Sequence, residues 1–317
     1  MPLIDFFILL LGLFLVVKGA DLLLSSAIAI GKKYKISDFF IGLAIVGFGT
    51  SLPELLVSIE AILKRSPDLS VGNVIGSNIS NIILVLGVVL IFSKITINKI
   101  SRFDVFFHLI CHLILLCFIW FLNFTYMTGI LFIALFIYYL FQSFKNSLTQ
   151  EESEQQLNDL LSRSILKNPI KHGLPILIIS TFLTFTGAEF TVRSAIEISA
   201  FYGISNSFFG LTVVAVGTSL PEIITSVKAA KRKKSELIIG NIIGSNIYNL
   251  LLILGLVSLF ESFVFSEILF FEVFFLVFCV LCFSLTLFFT SSVERKYVLF
   301  PIIFYIFYLI KVYLTNF

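Results

Sequence analysis

Charge is scarce in this chain. Only 13% of its 317 residues are Asp, Glu, Lys or Arg, against 58% hydrophobic, and the mean hydropathy is +1.06. A soluble domain with so little charge could not cover its surface, whereas a polytopic membrane protein needs no such cover. Cysteine is also sparse. Cys111, Cys117, Cys279 and Cys282 all fall within apolar runs and read as buried thiols, since a disulfide framework belongs to small secreted domains. No basic start precedes the first apolar run, which continues to about Ile30 and is too long for the apolar stretch of a signal peptide, so no cleavable signal is expected. Catalytic triad, nucleotide-binding loop and soluble domain are missing too, which leaves an enzyme, a receptor or a nucleic-acid binder without support.

What is present is a duplicated polar pattern inside the apolar runs. Gly49-Thr50-Ser51-Leu52-Pro53-Glu54 returns 168 residues later as Gly217-Thr218-Ser219-Leu220-Pro221-Glu222. Gly72-Asn73-Val74-Ile75-Gly76-Ser77-Asn78-Ile79-Ser80-Asn81 returns as Gly240-Asn241-Ile242-Ile243-Gly244-Ser245-Asn246-Ile247-Tyr248-Asn249. Charged groups at the bilayer centre cost roughly 2.5–3.5 kcal/mol on insertion scales, so a carboxylate there points to function. The offset extends beyond the motifs: Gly19-Ala20-Asp21 matches Gly187-Ala188-Glu189, Tyr34 matches Tyr202, Gly42-Leu43 matches Gly210-Leu211 and Gly87 matches Gly255.

Apolar runs of spanning length predict an all-α polytopic membrane protein of ten helices, at about 3–30, 38–63, 70–92, 104–122, 126–144, 173–200, 206–230, 236–260, 268–290 and 297–315. The halves are then 1–144 and 173–317, joined by a linker at 145–172. With both termini outside, the inner segments hold sixteen basic residues and the outer ones three (Lys64, Arg65 and Lys311). That excess places the termini outside and the linker in the cytoplasm. Five spans per repeat force the second half into the membrane inverted, the geometric basis of alternating access.

Thr50 and Glu54 lie four apart on span two, and Ser77 and Asn81 four apart on span three, so each pair shares a helical face. Pro53 cannot donate to the Gly49 carbonyl, and Gly47 and Gly49 loosen the same stretch, so the helix should break there with carbonyls near Gly47 and Thr50 free. Span seven repeats every element with Ala215, Thr218, Ser219, Pro221 and Glu222, and span eight supplies Ser245 and Asn249. Gly72, Gly76, Gly240 and Gly244 form small-xxx-small spacings for close helix approach. The pooled ligands are all oxygen, which suits hard cations such as Ca²⁺ and Na⁺; no Cys or His belongs to either motif, which argues against a soft metal.

G-T-S-L-P-E followed by G-N-x-x-G-S-N-I-x-N resembles the α-repeats of the sodium/calcium exchanger branch of the cation/Ca²⁺ exchanger superfamily, prokaryotic type. The resemblance covers nearly the whole chain. It implies an antiporter exchanging about three Na⁺ for one Ca²⁺, with spans one and six sliding across the rest. It further implies Glu54 and Glu222 as central ligands, lined by Thr50, Ser51, Ser77 and Asn81 from one half and Thr218, Ser219, Ser245 and Asn249 from the other, with backbone carbonyls from Gly47 and Ala215. Asn at 249, where potassium-dependent relatives carry Asp, tilts toward potassium independence and a site charge of −2. Potassium-dependent and proton-coupled Ca²⁺ exchangers remain alternatives within this class, and a cation channel is the alternative outside it. No cofactor is expected. The implied setting is the plasma (inner) membrane of a prokaryote, with the lipid bilayer as partner and the monomer as functional unit.

Other polar residues read as structural. Lys18, Asp21, Glu189 and Arg193 suit snorkelling or local pairing. Asp104, His108 and His112 form an i, i+4, i+8 stripe that could hold Zn²⁺, but a helix face near the headgroups explains it as well, and span four shows no duplicated polar partner. Lys231-Arg232-Lys233-Lys234 marks a membrane exit on the side of anionic lipid.

Overall fold

Backbone in hydrocarbon must satisfy its own N–H and C=O groups, so long apolar runs fold as helices. The computed structural model describes residues 2–31, 47–97, 100–121, 124–148, 169–264 and 267–316, most of them helical. Among them, seven stretches are long and apolar enough to cross a membrane: Pro67–Phe92, Arg102–Ile119, Tyr126–Asn146, Asn206–Lys231, Ser235–Phe260, Leu269–Phe289 and Arg295–Thr315. These are the expected spans three, four, five, seven, eight, nine and ten, shifted by a few residues at their ends. Span one is the helix Pro2–Gly31 and span six the helix Pro169–Tyr202. Span two is described as Gly47–Thr50 and Leu52–Leu63. Its expected first part, 38–46, and residues 149–168 of the expected linker lie outside the described residues.

Spans three and eight are the most enclosed, 78% and 83% buried over their apolar windows against 22% for span ten. The two helices that carry the second polar passage therefore form the centre. Glycine sets how near the others come. A Cβ on Gly76 would lie 2.5 Å from the Leu211 carbonyl oxygen, and one on Gly210 2.5 Å from that of Leu69, so spans three and seven touch backbone to backbone. Spans one and six cross in the same way, Gly12 against Thr191 and Gly187 against Val16. Lys18, Glu189 and Arg193 face outward on that helix pair, while the side chain of Asp21 lies outside the described residues.

Two apolar clusters result. The larger joins spans three, four, five, eight, nine and ten and takes in Ile62 of span two and Leu211, Ala229 and Ala230 of span seven; the smaller, with Leu13, Val16, Val57, Leu69, Val192 and Val214, joins spans one and six to spans two, three and seven.

The 168-residue offset is visible in the backbone. Arg65 and Lys233 both take positive φ, 57° and 58°, in matching turns after spans two and seven. Ser66 N–H donates to Ala61 O at 2.9 Å there, and Lys234 N–H to Ala229 O at 3.0 Å. The extended pairing among the described residues is also duplicated. Ile95–Thr96 pairs antiparallel with Ser292–Val293, and Phe124 bridges Phe263 through reciprocal 3.0 Å hydrogen bonds. The offset carries Ile95 onto Phe263 and Phe124 onto Ser292, so ladder and bridge are copies of one contact, at opposite ends of span eight. Spans three and eight each end on an extended residue, Ser93 or Glu261, which frees the chain for that pairing.

Gly76→Ala should destabilise the fold by about 1–3 kcal/mol, the usual range for overpacking, because the new methyl meets backbone that cannot step aside. Gly87→Ala meets the flexible Ile302 side chain at 2.9 Å and should be milder. Thermal unfolding of the two variants in detergent checks the order; equal midpoints would show that the span three–seven contact is not close-packed.

Candidate cation site

Span two breaks at Ser51 (φ −85°, ψ 2°) and span seven at Ser219 (φ −79°, ψ 3°), each two residues before a proline that lacks an N–H. The break is narrower than expected, and the carbonyls near it are not free. Gly47 O accepts Ser51 N–H, and Ala215 O accepts Ser219 N–H, both at 3.0 Å. A carbonyl has a second lone pair. Near Gly47 O stand the hydroxyls of Thr50 at 3.3 Å and Ser245 at 3.5 Å; near Ala215 O stand those of Thr218 at 3.3 Å and Ser77 at 3.5 Å. Each of these carbonyls is thus shared between its own helix and a hydroxyl from the opposite half.

The carboxylates are crossed in the same way. Ser51 Oγ donates to Glu222 Oε1 at 3.5 Å, and Ser219 Oγ to Glu54 Oε1 at 3.3 Å. Ser245 Oγ donates to Glu222 Oε1 at 3.3 Å. Glu54 and Glu222 are 0% and 1% exposed, and they are close enough for their charges to act on one another. The ion pairs among the described residues, Lys64–Glu60 and Lys311–Glu272, involve neither.

Asn81 and Asn249 sit in π-helical segments, Ser80–Leu84 and Tyr248–Ile253. Such segments insert a residue into the helix and often mark functional positions. The segment of Asn249 touches the helix of Glu54, and that of Asn81 touches the helix of Glu222. Glu54 Oε2, Glu222 Oε2 and both amide ends of Asn81 and Asn249 are buried without a hydrogen-bond partner among the described residues. Buried polar atoms left so are costly, at about 1–3 kcal/mol each, unless something binds them.

The sequence motifs contain further residues that hold this arrangement. Asn73 Nδ2 donates to Glu54 O at 3.3 Å and Ser58 Oγ at 3.0 Å, and Asn73 Oδ1 accepts from Thr218 Oγ1 at 3.2 Å. Asn241 repeats this with Ser226 at 3.1 Å and Thr50 at 3.3 Å. The signal was available: Asn73, Ser77 and Asn81 step by four along one face. Outside the site the halves differ. Ser80 Oγ hydrogen-bonds the Tyr305 hydroxyl at 2.8 Å, whereas its counterpart Tyr248 packs its ring on Phe48 and Phe136 with centroids 5.5 and 5.0 Å away.

The structure does not gather Asp104, His108 and His112 into one metal-holding group, nor does it leave them on an exposed helix face. No group of three or more His, Cys, Asp or Glu is placed to hold a metal among the described residues, and all three side chains are buried. Asp104 lies beside Tyr139 and Ser143 of span five, while the histidines point toward spans three and eight. Span four also has a duplicated polar partner after all. The offset carries Asp104 onto Glu272 and Ser143 onto Lys311, and Lys311 Nζ bonds Glu272 Oε1 at 2.9 Å.

A family model described as sodium/calcium exchanger protein matches residues 4–145 and 172–314. The chain is 37% identical over 252 residues to an uncharacterized membrane protein of Methanocaldococcus jannaschii, covering 79% of this chain and 80% of that one. It is 33% identical over 292 residues to the sodium/calcium exchanger MaX1 of Methanosarcina acetivorans, covering 81% and 83%. Among solved structures it is similar to the sodium-calcium exchanger NCX_Mj, with a TM-score of 0.69 at 32% identity over 97% and 98% of the two chains.

Asn73→Ala and Asn241→Ala should each lower the thermal midpoint in detergent, since each strands several buried partners at about 1–3 kcal/mol apiece. Ser70→Ala removes a buried hydroxyl that has no partner and should leave the midpoint unchanged or raise it. Indistinguishable midpoints for all three would remove the asparagines from the scaffold of the site.

Proposed function

The chain belongs to the sodium/calcium exchanger protein family, and from that membership and the geometry of its site we propose that it is a Na⁺/Ca²⁺ antiporter of a prokaryotic plasma membrane. The observation that carries this reading is the crossed carboxylate pair: each Glu is bonded by the serine of the other half, with its second oxygen unpartnered beside helices bearing a partnerless Asn. Glu54, Glu222, Asn81 and Asn249 are the ligands whose oxygens are free, and Thr50, Ser51, Ser77, Thr218, Ser219 and Ser245 complete the oxygen lining, with Gly47 and Ala215 carbonyls at its edge. Ca²⁺ takes 6–8 oxygens at roughly 2.3–2.6 Å, a number this set can supply.

Coupling follows from charge. An ion-free site would hold two buried carboxylates with no cation, a state that burial and mutual repulsion both penalise. The carrier therefore reorients loaded, with Ca²⁺ in one direction and Na⁺ in the other. One Ca²⁺ neutralises two carboxylates, whereas about three Na⁺ leave one positive charge, so the cycle is electrogenic. The matching turns, strand contacts and crossed hydrogen bonds support two five-span repeats, ten spans in all; the odd number of spans per repeat implies opposite orientation, and the excess of basic residues in the inner segments favours termini outside. Alternating access by the pair of spans one and six agrees with their absence from the larger apolar cluster: they pack through a smaller one shared with spans two, three and seven.

Glu54→Gln and Glu222→Gln should each reduce Na⁺-driven Ca²⁺ uptake in proteoliposomes to background while the protein still inserts and purifies. Exchange at near wild-type rate by either variant would sink the shared-site reading. Electrogenicity has its own measurement. Uptake driven by internal Na⁺ should accelerate when the vesicle interior is clamped positive with valinomycin and K⁺, by up to ~2.3 kcal/mol of driving force per 100 mV. Rates indifferent to the clamp would indicate an electroneutral ratio.

A further inference from the structure

Span four carries two buried histidines that the cation site does not use. His112 Nε2 lies 3.4 Å from Asn78 Nδ2, and His108 Nε2 lies 3.3 Å from Asn246 Nδ2. The same two amides reach across the centre of the bundle: Asn78 Nδ2 donates to the main-chain oxygen of Asn246 at 3.3 Å, and Asn246 Nδ2 to that of Asn78 at 3.5 Å. All four side chains are 0% exposed, and the two imidazoles meet with centroids 4.6 Å apart.

The partners fix the protons. A main-chain oxygen can only accept, so the amide atom facing it on each Asn is the nitrogen. The second hydrogen of that nitrogen then points at Nε2, which must present its lone pair. For His112 the other ring nitrogen agrees, since Nδ1 lies 2.7 Å from His108 O and carries the proton that this carbonyl accepts. His112 is therefore a neutral acceptor with the hydrogen on Nδ1; the Asn246 contact gives His108 the same form, with an Nδ1–H that has no hydrogen-bond partner among the described residues.

We propose that His108 and His112 are positioning residues for ion exchange, setting through Asn78 and Asn246 the register of the two helices that hold the amide ligands. This deepens the exchange reading and rests on it. The π-helical segments begin two residues past each Asn and carry Asn81 and Asn249. Asn78 is thus tied to span eight and to span four just before the helix departs from α geometry, and Asn246 is tied to span three and span four at the matching point. The brace comes from one half only. At the counterparts of His108 and His112, span nine places Leu276 and Val280, both buried and apolar.

Histidine-to-leucine and histidine-to-glutamine changes separate positioning from packing. Gln can put its carbonyl oxygen where Nε2 stands, while Leu fills the space without an acceptor. His108→Leu and His112→Leu should raise the KM for Ca²⁺ about 10- to 100-fold, the range for partners that orient metal ligands, and the Gln variants should return it toward wild type. Leu variants with wild-type KM, or Gln variants no better than Leu, would overturn the proposal. A readout independent of transport is ¹⁵N NMR of the histidine-labelled full chain, with His172 as internal reference. It should show His108 and His112 with Nδ1–H and a bare Nε2, and Asn78→Ala should shift the His112 Nε2 resonance while leaving His172 in place. A wild-type spectrum with Nε2 protonated would refute the brace whether or not the exchange reading stands, whereas a correct spectrum from a protein without Ca²⁺ flux would place the failure in that reading instead.

Discussion

The site turns on two carboxylates, Glu54 and Glu222, both buried, near enough to act on one another, and without a basic partner among the described residues. Like charges repel, and burial adds to that cost. The surrounding chemistry answers to this. Serines from the opposite half donate to one oxygen of each Glu, asparagines one turn before the ligand positions steady the backbone around them, and glycines let spans three and seven come near enough for hydroxyls to cross. Among the described residues no basic side chain pairs with either carboxylate, a need that a bound cation would fill.

The crossing also decides what a half can do alone. Ser51 serves Glu222, Ser219 serves Glu54, Thr50 reaches Asn241 and Thr218 reaches Asn73. Every one of these links joins residues from different repeats. Separating the halves would strip each carboxylate of a donor and leave both hydroxyls without their amide partners. The site is thus a property of the interface, and the fold is arranged to hold that interface at the centre of the most enclosed helices.

Much of this was legible in the sequence because the polar residues are few and recur at one offset. Spans three to five and seven to ten fall where the apolar runs put them, and the crossing of two Glu-bearing helices follows from the duplication. Pattern could not show the rest, for physical reasons. A π-helical segment uses the same apolar residues as an α-helix, so nothing in Ser80–Leu84 or Tyr248–Ile253 announces it. The Pro53 break was placed correctly, yet the Gly47 carbonyl still accepts the Ser51 N–H of its own helix, and the hydroxyl from span eight that also approaches it is a contact no local window contains. His108 and His112 looked like a stripe with Asp104 because they share a helix face in sequence. Packing divides that stripe between span five and the central pair, and only the third dimension reveals it.

The departures from symmetry carry a further consequence. In a carrier made of two identical inverted halves, the outward- and inward-facing forms would be the same structure seen from opposite sides, and their populations in the dark of any gradient would be equal. Here Ser80 hydrogen-bonds Tyr305 while Tyr248 packs its ring at a tilt against Phe48 and edge-on against Phe136, and span four carries buried histidines where span nine offers Leu276 and Val280. If the chain works by two such forms, each mismatch is a difference in energy between them, and about 1.4 kcal/mol tilts their ratio tenfold. The proposed ligands match across the halves, so under the exchange reading the resting side would be set by residues outside the site.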